Sequence, residues 1–280
     1  MNANTIPDIW SWREFIERAT MPDTTSHGSG RGARTSWAGA SWDEAVELGT
    51  SGWTERVPDV DVAVADLRAR DRVAVPATGL APVAGVTGSE VDVAAYLSGI
   101  PECMIDVEPR QMSTQGKVVT FLVPATYSNS ADHQSIINRG LALVALCSAI
   151  VTAGHSVEVW SGYACSIPPV RSCRYSAIAR VITAGEPLDS GRLMFAMAHP
   201  AMLRRLWFGV WDSAERRIAE RMPPHYGFAP FDCEPADLPD DITDAYVFPY
   251  LVAGDPQWSS WDTAIEWCQL MFADLGLLVA

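Results

Sequence analysis

Between an apolar run at Lys117 to Ala125 and a long apolar stretch at 132–153 lies a loop rich in hydroxyls, Thr126-Tyr127-Ser128-Asn129-Ser130-Ala131-Asp132. A polar loop that leaves a buried strand and opens a helix is where α/β proteins place a ligand or a metal, because backbone amides and side-chain oxygens converge there beyond the sheet. Four other side chains have the chemistry for a site. His199, followed by Pro200, carries an imidazole poised near neutrality and could act as a base. It also stands at a helix break, where a histidine bonds the last carbonyls of the helix before it. Arg204 and Arg205 could grip a phosphate, with one of them expected to pair with an acid such as Asp212 or Glu215. Arg139, entering an apolar helix, is expected to bond a neighbouring loop. No Gly-x-Ser-x-Gly elbow, Walker loop, His-Glu-x-x-His or Gly-x-Gly-x-x-Gly occurs, so no catalytic residue is assigned and no constellation stands behind an enzyme.

These residues need a scaffold, and the pattern supplies one. Val118 to Val123 and Val157 to Trp160 are β-branched runs on either side of the helix expected over Asp132 to Ala153, a unit that calls for parallel strands joined by a crossover. Further strands are expected at Met104 to Val107 and Tyr175 to Thr183. Ser11-Trp-Arg-Glu14 and Ser41-Trp-Asp-Glu44 match the capping box and predict two N-terminal helices. Between them, 21–36 has almost nothing to bury and reads as a flexible linker unless a partner orders it. A helix over 60–70 follows, then turns in the Gly- and Pro-rich 76–88, and a short helix or loop over 91–98. Ser190 to Ala198 should form a helix that His199-Pro200 breaks, with a new helix from Pro200 to about Arg221. A proline- and acid-rich surface loop is expected over 223–256, and a closing helix over 259–275. The domain reading is N-terminal helices at 1–58, an α/β core at 59–222, and an acidic loop and helix at 223–280 packed on that core.

The 280 residues are 48% hydrophobic, ample for a core. The longest apolar run, Gly140 to Ala153, falls short of a membrane span, and Asp8, Arg13 and Glu14 exclude a signal peptide at the N-terminus. A cytoplasmic protein with no membrane partner is expected. Six cysteines show no metal-finger spacing and read as free thiols. The net charge of -14 is uneven: -8 over 1–169, +4 over 170–222 and -10 over 223–280. An acidic chain repels nucleic acid, so any such contact must use the arginines of 171–221; a solvated helical face is the plainer reading of that island.

The strand, Thr126-x-Ser128-x-Ser130, Arg139-Gly140-x-Ala142 and Gly154-His155-x-Val157-Glu158-Val159 together resemble a von Willebrand factor A-type domain, a doubly wound, Rossmann-like α/β fold. The resemblance implies a mostly parallel sheet with N- and C-terminal helical additions, and a loop of the form Asp-x-Ser-x-Ser whose side chains hold a divalent cation such as magnesium. Here Thr126 stands where the aspartate would be, so Thr126, Ser128 and Ser130 form a degenerate set that lacks the charged ligand. No cofactor is therefore expected. The whole chain also resembles an uncharacterised family of tailed phages and actinobacterial mobile elements. The resemblance rests on Ser41 to Ala45 with Gly52-Trp53, Ala95 to Met104, Arg139-Gly140 and Leu193 to Arg205. It implies a protein of the host cytoplasm or the virion. The functional expectation is a non-enzymatic interaction or assembly module with a protein partner or a second copy of itself. The alternative is a nucleic-acid-binding factor that uses 171–221.

Overall fold

The computed structural model describes residues 6–26, 28–70, 78–111, 116–166, 174–222 and 230–274. Capping chemistry places the first elements. In α1 (Trp12–Thr20) the Ser11 hydroxyl accepts from the Glu14 amide, while the Glu14 carboxylate accepts from the amide of Trp10, one residue outside the usual reciprocal pair. Single turns α2 (Ser29–Gly32) and α3 (Thr35–Ala38) follow, and then α4 (Trp42–Ser51), where Ser41 and Glu44 complete both halves of the box. α5 spans Val57–Arg70.

The segment expected as a linker carries α2 and α3 and is held by polar contacts. Arg205 donates to the carbonyls of Gly30, Arg31 and Ala40 at 3.0 Å each, and the Asp212 carboxylate accepts from the Gly30 amide at 2.9 Å. Gly30 lies so close to the chain at Arg205 and Gly209 that a Cβ there would come within 2.7 Å of backbone. Hydrogen bonds do here what apolar burial does elsewhere, so a composition without apolar residues gave no sign of it.

Next come β1 (Thr78–Gly85), β2 (Glu90–Val91), α6 (Val93–Leu97) and β3 (Met104–Gln111). They form a separate antiparallel sheet of order β1-β3-β2. Most of the passage expected as turns is therefore strand; an edge strand accommodates its glycines and Pro82 because one side of it needs no partner. Asp92 caps α6 by accepting from the amides of Ala94 and Ala95.

The central sheet is built from β4 (Val118–Pro124), β5 (Ser156–Ser166), β6 (Arg174–Ile182) and β7 (Ala245–Val247), in the order β6-β5-β4-β7. β4 runs parallel to both β5 and β7, and β5 to β6 is antiparallel. A parallel sheet with one antiparallel edge strand is a common form of α/β architecture, so the mixed α/β fold is as expected. Helix α7 (His133–Thr152) connects β4 to β5 and begins at Asp132, whose carboxylate accepts from the Ser135 amide and hydroxyl. It is long and apolar enough to cross a membrane, yet 72% of its most apolar window is buried inside the fold, as befits a core helix. α8 (Ser190–Ala198) crosses it so tightly that a Cβ on Gly140 would sit 2.3 Å from Ala198 Cβ.

After His199 the chain makes a π-helical turn at Met202–Trp207, then α9 (Phe208–Asp212) and the short α10 (Arg216–Ala219). The single helix expected to reach Arg221 is thus interrupted: the Ser213 hydroxyl donates to the Arg18 carbonyl of α1, and the ladder stops there. The acidic segment also departs from expectation, since it contributes β7, too short a strand to announce itself by pattern. α11 (Trp261–Asp274) closes the described chain.

Strand alternation sorts the sheet into two faces. Val119, Phe121, Val123, Val157, Val159 and Ala179 face the helices, in a core shared with Phe15, Leu146, Phe195, Trp207 and Trp211. Leu122, Trp160, Ala164 and Ile178 face the other way and are covered by Cys233 and Leu238 of the acidic segment. The five described cysteines are free, and four of them are buried. Cys173, Arg171 and the Pro168-Pro169 loop lie outside the described residues.

Candidate functional site

The carboxyl end of β4 is where this sheet changes direction. One parallel neighbour, β5, is reached through α7, and the other, β7, arrives from the acidic segment on the opposite side. In open α/β sheets such a crevice is the natural ligand site. A cavity of about 800 Å³ opens there, bordered by Thr126, Ser128, Trp37, Arg204, Tyr163 and Phe208 among others.

The loop after β4 is fixed in place. Ser128 donates its amide to the Leu251 carbonyl at 3.0 Å, and its hydroxyl accepts from the Ala253 amide at 2.7 Å, which extends the pairing of β4 with β7 beyond the strands. Tyr127, 8% exposed, donates to the Pro200 carbonyl at 2.9 Å, and burial raises its pKa. Thr126 is buried and its hydroxyl has no hydrogen-bond partner. Ser130 is exposed.

A divalent cation does not fit this donor set. Ser128 is committed to a backbone amide, and among the described residues the cavity is bordered by arginine and by no carboxylate. Asp132 points its oxygens at Ser135 as a cap, which holds its carboxyl below the usual range. Among the described residues no group of three His, Cys, Asp or Glu could hold a metal.

Arg204 and Arg205 are adjacent in the π-helical turn and diverge. Of the two acids expected as partners, Glu215 pairs with Arg217, and the Asp212 carboxylate accepts from the Gly30 amide. Arg205 holds the N-terminal arm as described. Arg204, 2% exposed, is stacked between the rings of Trp37 and Tyr127, with centroids 4.5 and 4.8 Å from its guanidinium carbon. It donates to the Trp37 carbonyl, and its Nη1 lies 3.1 Å from His133 Nε2. Two aromatic faces stabilise a cation in place of a carboxylate. Burial lowers the Arg204 pKa, and its Nε finds no partner.

Arg139 acts as a brace. It donates to the Pro124 carbonyl at the end of β4 and to the Pro249 carbonyl just past β7, both at 3.1 Å, so it ties together the two strands that border the crevice. It is fully enclosed, and burial pulls its pKa down to about 10. His199 lies behind the cavity. Its Nδ1 accepts from the Ala201 amide at 3.1 Å, and its ring packs on Phe195 and Trp53. The histidine therefore caps the start of the following helix, where capping of the preceding one was expected. Burial pulls the imidazole down to about 4, which keeps it neutral.

With this geometry in place the sequence comparison can be read. Residues 2–279 match the family described as Domain of unknown function (DUF7192). The chain belongs to that family. The match spans the N-terminal arm, the separate sheet, the central sheet and α11, so the DUF7192 unit is this whole architecture. No curated protein and no solved structure matches the chain. The DUF7192 description carries no activity to set against the site. Thr126, Ser128 and Arg204 are thus brought together, while Arg205, Arg139 and His199 build the walls behind them. Trp37, His133 and Arg34 were missed by the sequence reading. Trp37 and Arg34 sit in or beside the arm read as linker, where nothing signalled a contact with Arg204 some 170 residues away.

Proposed function

We propose that this protein is a non-enzymatic interaction or assembly module of phage or mobile-element origin, working in the host cytoplasm or the virion, with the central sheet a degenerate von Willebrand A-like scaffold. The observation that carries the reading is the surface of the separate β1-β3-β2 unit. Among the described residues, six of the fourteen exposed large hydrophobic side chains lie within 86–100: Val86, Val91, Val93, Tyr96, Leu97 and Ile100, with Leu97 78% exposed. None of the residues 83–106 is buried. Such a concentration marks an interaction site, and covering each of these side chains contributes about 1.5–3 kcal/mol.

Charge selects the partner. Over 86–106 the acids are Glu90, Asp92, Glu102 and Asp106, and there is no basic residue. Two copies of this face would repel, so the surface suits a partner protein that is apolar at the centre and basic at the rim. The von Willebrand A-like reading is supported by the parallel β4-α7-β5 unit with Thr126 and Ser128 at its carboxyl end.

The alternative, nucleic-acid binding through 171–221, finds few unpaired cations among the described residues, where Arg221 donates to the Tyr175 hydroxyl. Arg174 pairs with Asp237, Arg180 with Glu158, Arg192 with Glu186, Arg216 with Glu220 and Arg217 with Glu215, while Arg204 and Arg205 are buried. The interaction reading is tested by light scattering together with capture from lysate of the source cells. The purified chain should be monomeric, and a basic partner should be retained by it, lost at high salt, and lost from the variant Leu97→Glu with Ile100→Glu. A strict monomer that retains no partner, or retention equal in both proteins, would contradict it.

A further inference from the structure

We infer that the cavity at the carboxyl ends of β4 and β5 binds a small phosphorylated aromatic molecule of nucleoside-monophosphate type. This surface is distinct from the exposed β1-β3-β2 face, so the two readings stand or fall separately. Its electrostatics run against those of the chain. The protein carries 34 acids and a net charge of -14, yet among the described residues no carboxylate borders this cavity, and Arg34 and Arg204 do. By contrast, another groove, of about 740 Å³, is bordered among the described residues by Asp8, Glu234, Asp237, Asp240 and Asp241 with Arg174.

Neither arginine at the cavity is spent on an acid. Arg204 is buried and clamped by Trp37 and Tyr127, Arg34 is exposed, and neither has a carboxylate partner among the described residues. Two cations match the near-double charge of a phosphate monoester better than the single charge of a carboxylate. Thr126 adds a buried hydroxyl with no partner, and Asn129 adds an exposed amide at the same cavity. A neutral hydroxyl and amide can donate to phosphate oxygens without repelling them.

Part of the remaining wall is aromatic, beside Leu203, Ala164 and Pro230. Trp37, Phe208 and Tyr163 follow one another around the cavity, with centroids 6.2 Å apart for Trp37 and Phe208 and 6.5 Å for Tyr163 and Phe208. A planar ring stacks on such a surface. A volume of about 800 Å³ is within the range of small-molecule sites and leaves room for a nucleotide. The cavity also lies where an open α/β sheet receives ligands.

Isothermal titration of the full chain tests the assignment, with the four nucleoside monophosphates, the matching nucleosides, inorganic phosphate, benzoate and a short oligonucleotide as probes. The expected result is one molecule of at least one monophosphate per chain, with its nucleoside, inorganic phosphate and benzoate each weaker by ~10-fold or more, in line with the loss of a charge-assisted contact. Arg34→Gln, at an exposed position, should weaken that monophosphate by ~10-fold and leave the thermal midpoint unchanged. Thr126→Val should weaken it without unfolding the chain. Binding of inorganic phosphate or benzoate as tight as the monophosphate would overturn the nucleotide class. Binding of the oligonucleotide alone, no binding of any probe up to millimolar concentration by folded protein, or binding indifferent to Arg34→Gln would overturn the site.

Discussion

At the scale of single residues, burial decides what each candidate does. His199 has the chemistry of a base, but enclosure between Trp53 and Phe195 holds it neutral and Ala201 occupies its Nδ1. The consequence for stability has a definite sign. The folded-state pKa is about 4 and the unfolded reference 6.5, so as pH falls between them the unfolded chain takes up a proton that the folded chain does not. Stability contributed by the neutral ring is complete above about pH 6.5 and is lost toward pH 4, by about 3 kcal/mol. His199→Asn keeps an acceptor for the Ala201 amide and cannot take that proton. Denaturant titrations at pH 7 and pH 4.5 should therefore show a smaller acid loss in the variant than in the parent; equal losses would show that His199 does not titrate on unfolding. Thr126 makes a complementary case. A buried hydroxyl without a partner costs stability, so Thr126→Val should raise it by about 1 kcal/mol in the absence of ligand, read as a higher urea midpoint. The hydroxyl-rich loop was legible in the sequence as the link that leaves β4 and opens α7. The arginine stacked above it was read only as a general phosphate grip, because its aromatic clamp comes from residues distant in the chain.

At the scale of elements, periodicity was readable wherever apolar burial drives folding. The alternation of Phe121 and Val123 against Leu122 places β4, and the caps at Ser11, Ser41 and Asp132 place the starts of α1, α4 and α7. Where polar contacts drive the structure, pattern was silent. The arm at 21–36 owes its two turns to Arg205 and Asp212, and β7 is three residues long within an acidic, proline-rich segment. The close crossing of α7 and α8 yields a prediction at this scale. Gly140→Ala would force Cβ against Ala198 at a separation no real pair of carbons shows, and the two helices must part. A loss of about 2–3 kcal/mol is expected from such overpacking, and a urea midpoint unchanged from the parent would show that the helices are free to separate at no cost.

At the scale of the whole molecule, the basic island of the sequence is largely neutralised by pairing with acids. Among the described residues, Arg174, Arg180, Arg192, Arg216 and Arg217 of the apparent basic island each pair with an acid, Arg204 and Arg205 are buried, and Arg221 donates to the Tyr175 hydroxyl. Filter binding of single- or double-stranded DNA at low salt should accordingly show no retention that falls with added salt; a clear salt-dependent signal would restore the nucleic-acid reading. The exposed apolar and acidic face over 83–106 is the basis of the proposed function. Photocrosslinking tests that claim most directly, with a benzophenone amino acid placed in turn at Leu97 and, as a control of similar exposure, at Val62 on α5. The account predicts one dominant adduct from position 97 in lysate of the source cells, mapped to an apolar patch with a basic rim and diminished by salt, and none of it from position 62. The same adducts from both positions, or none from position 97, would contradict it.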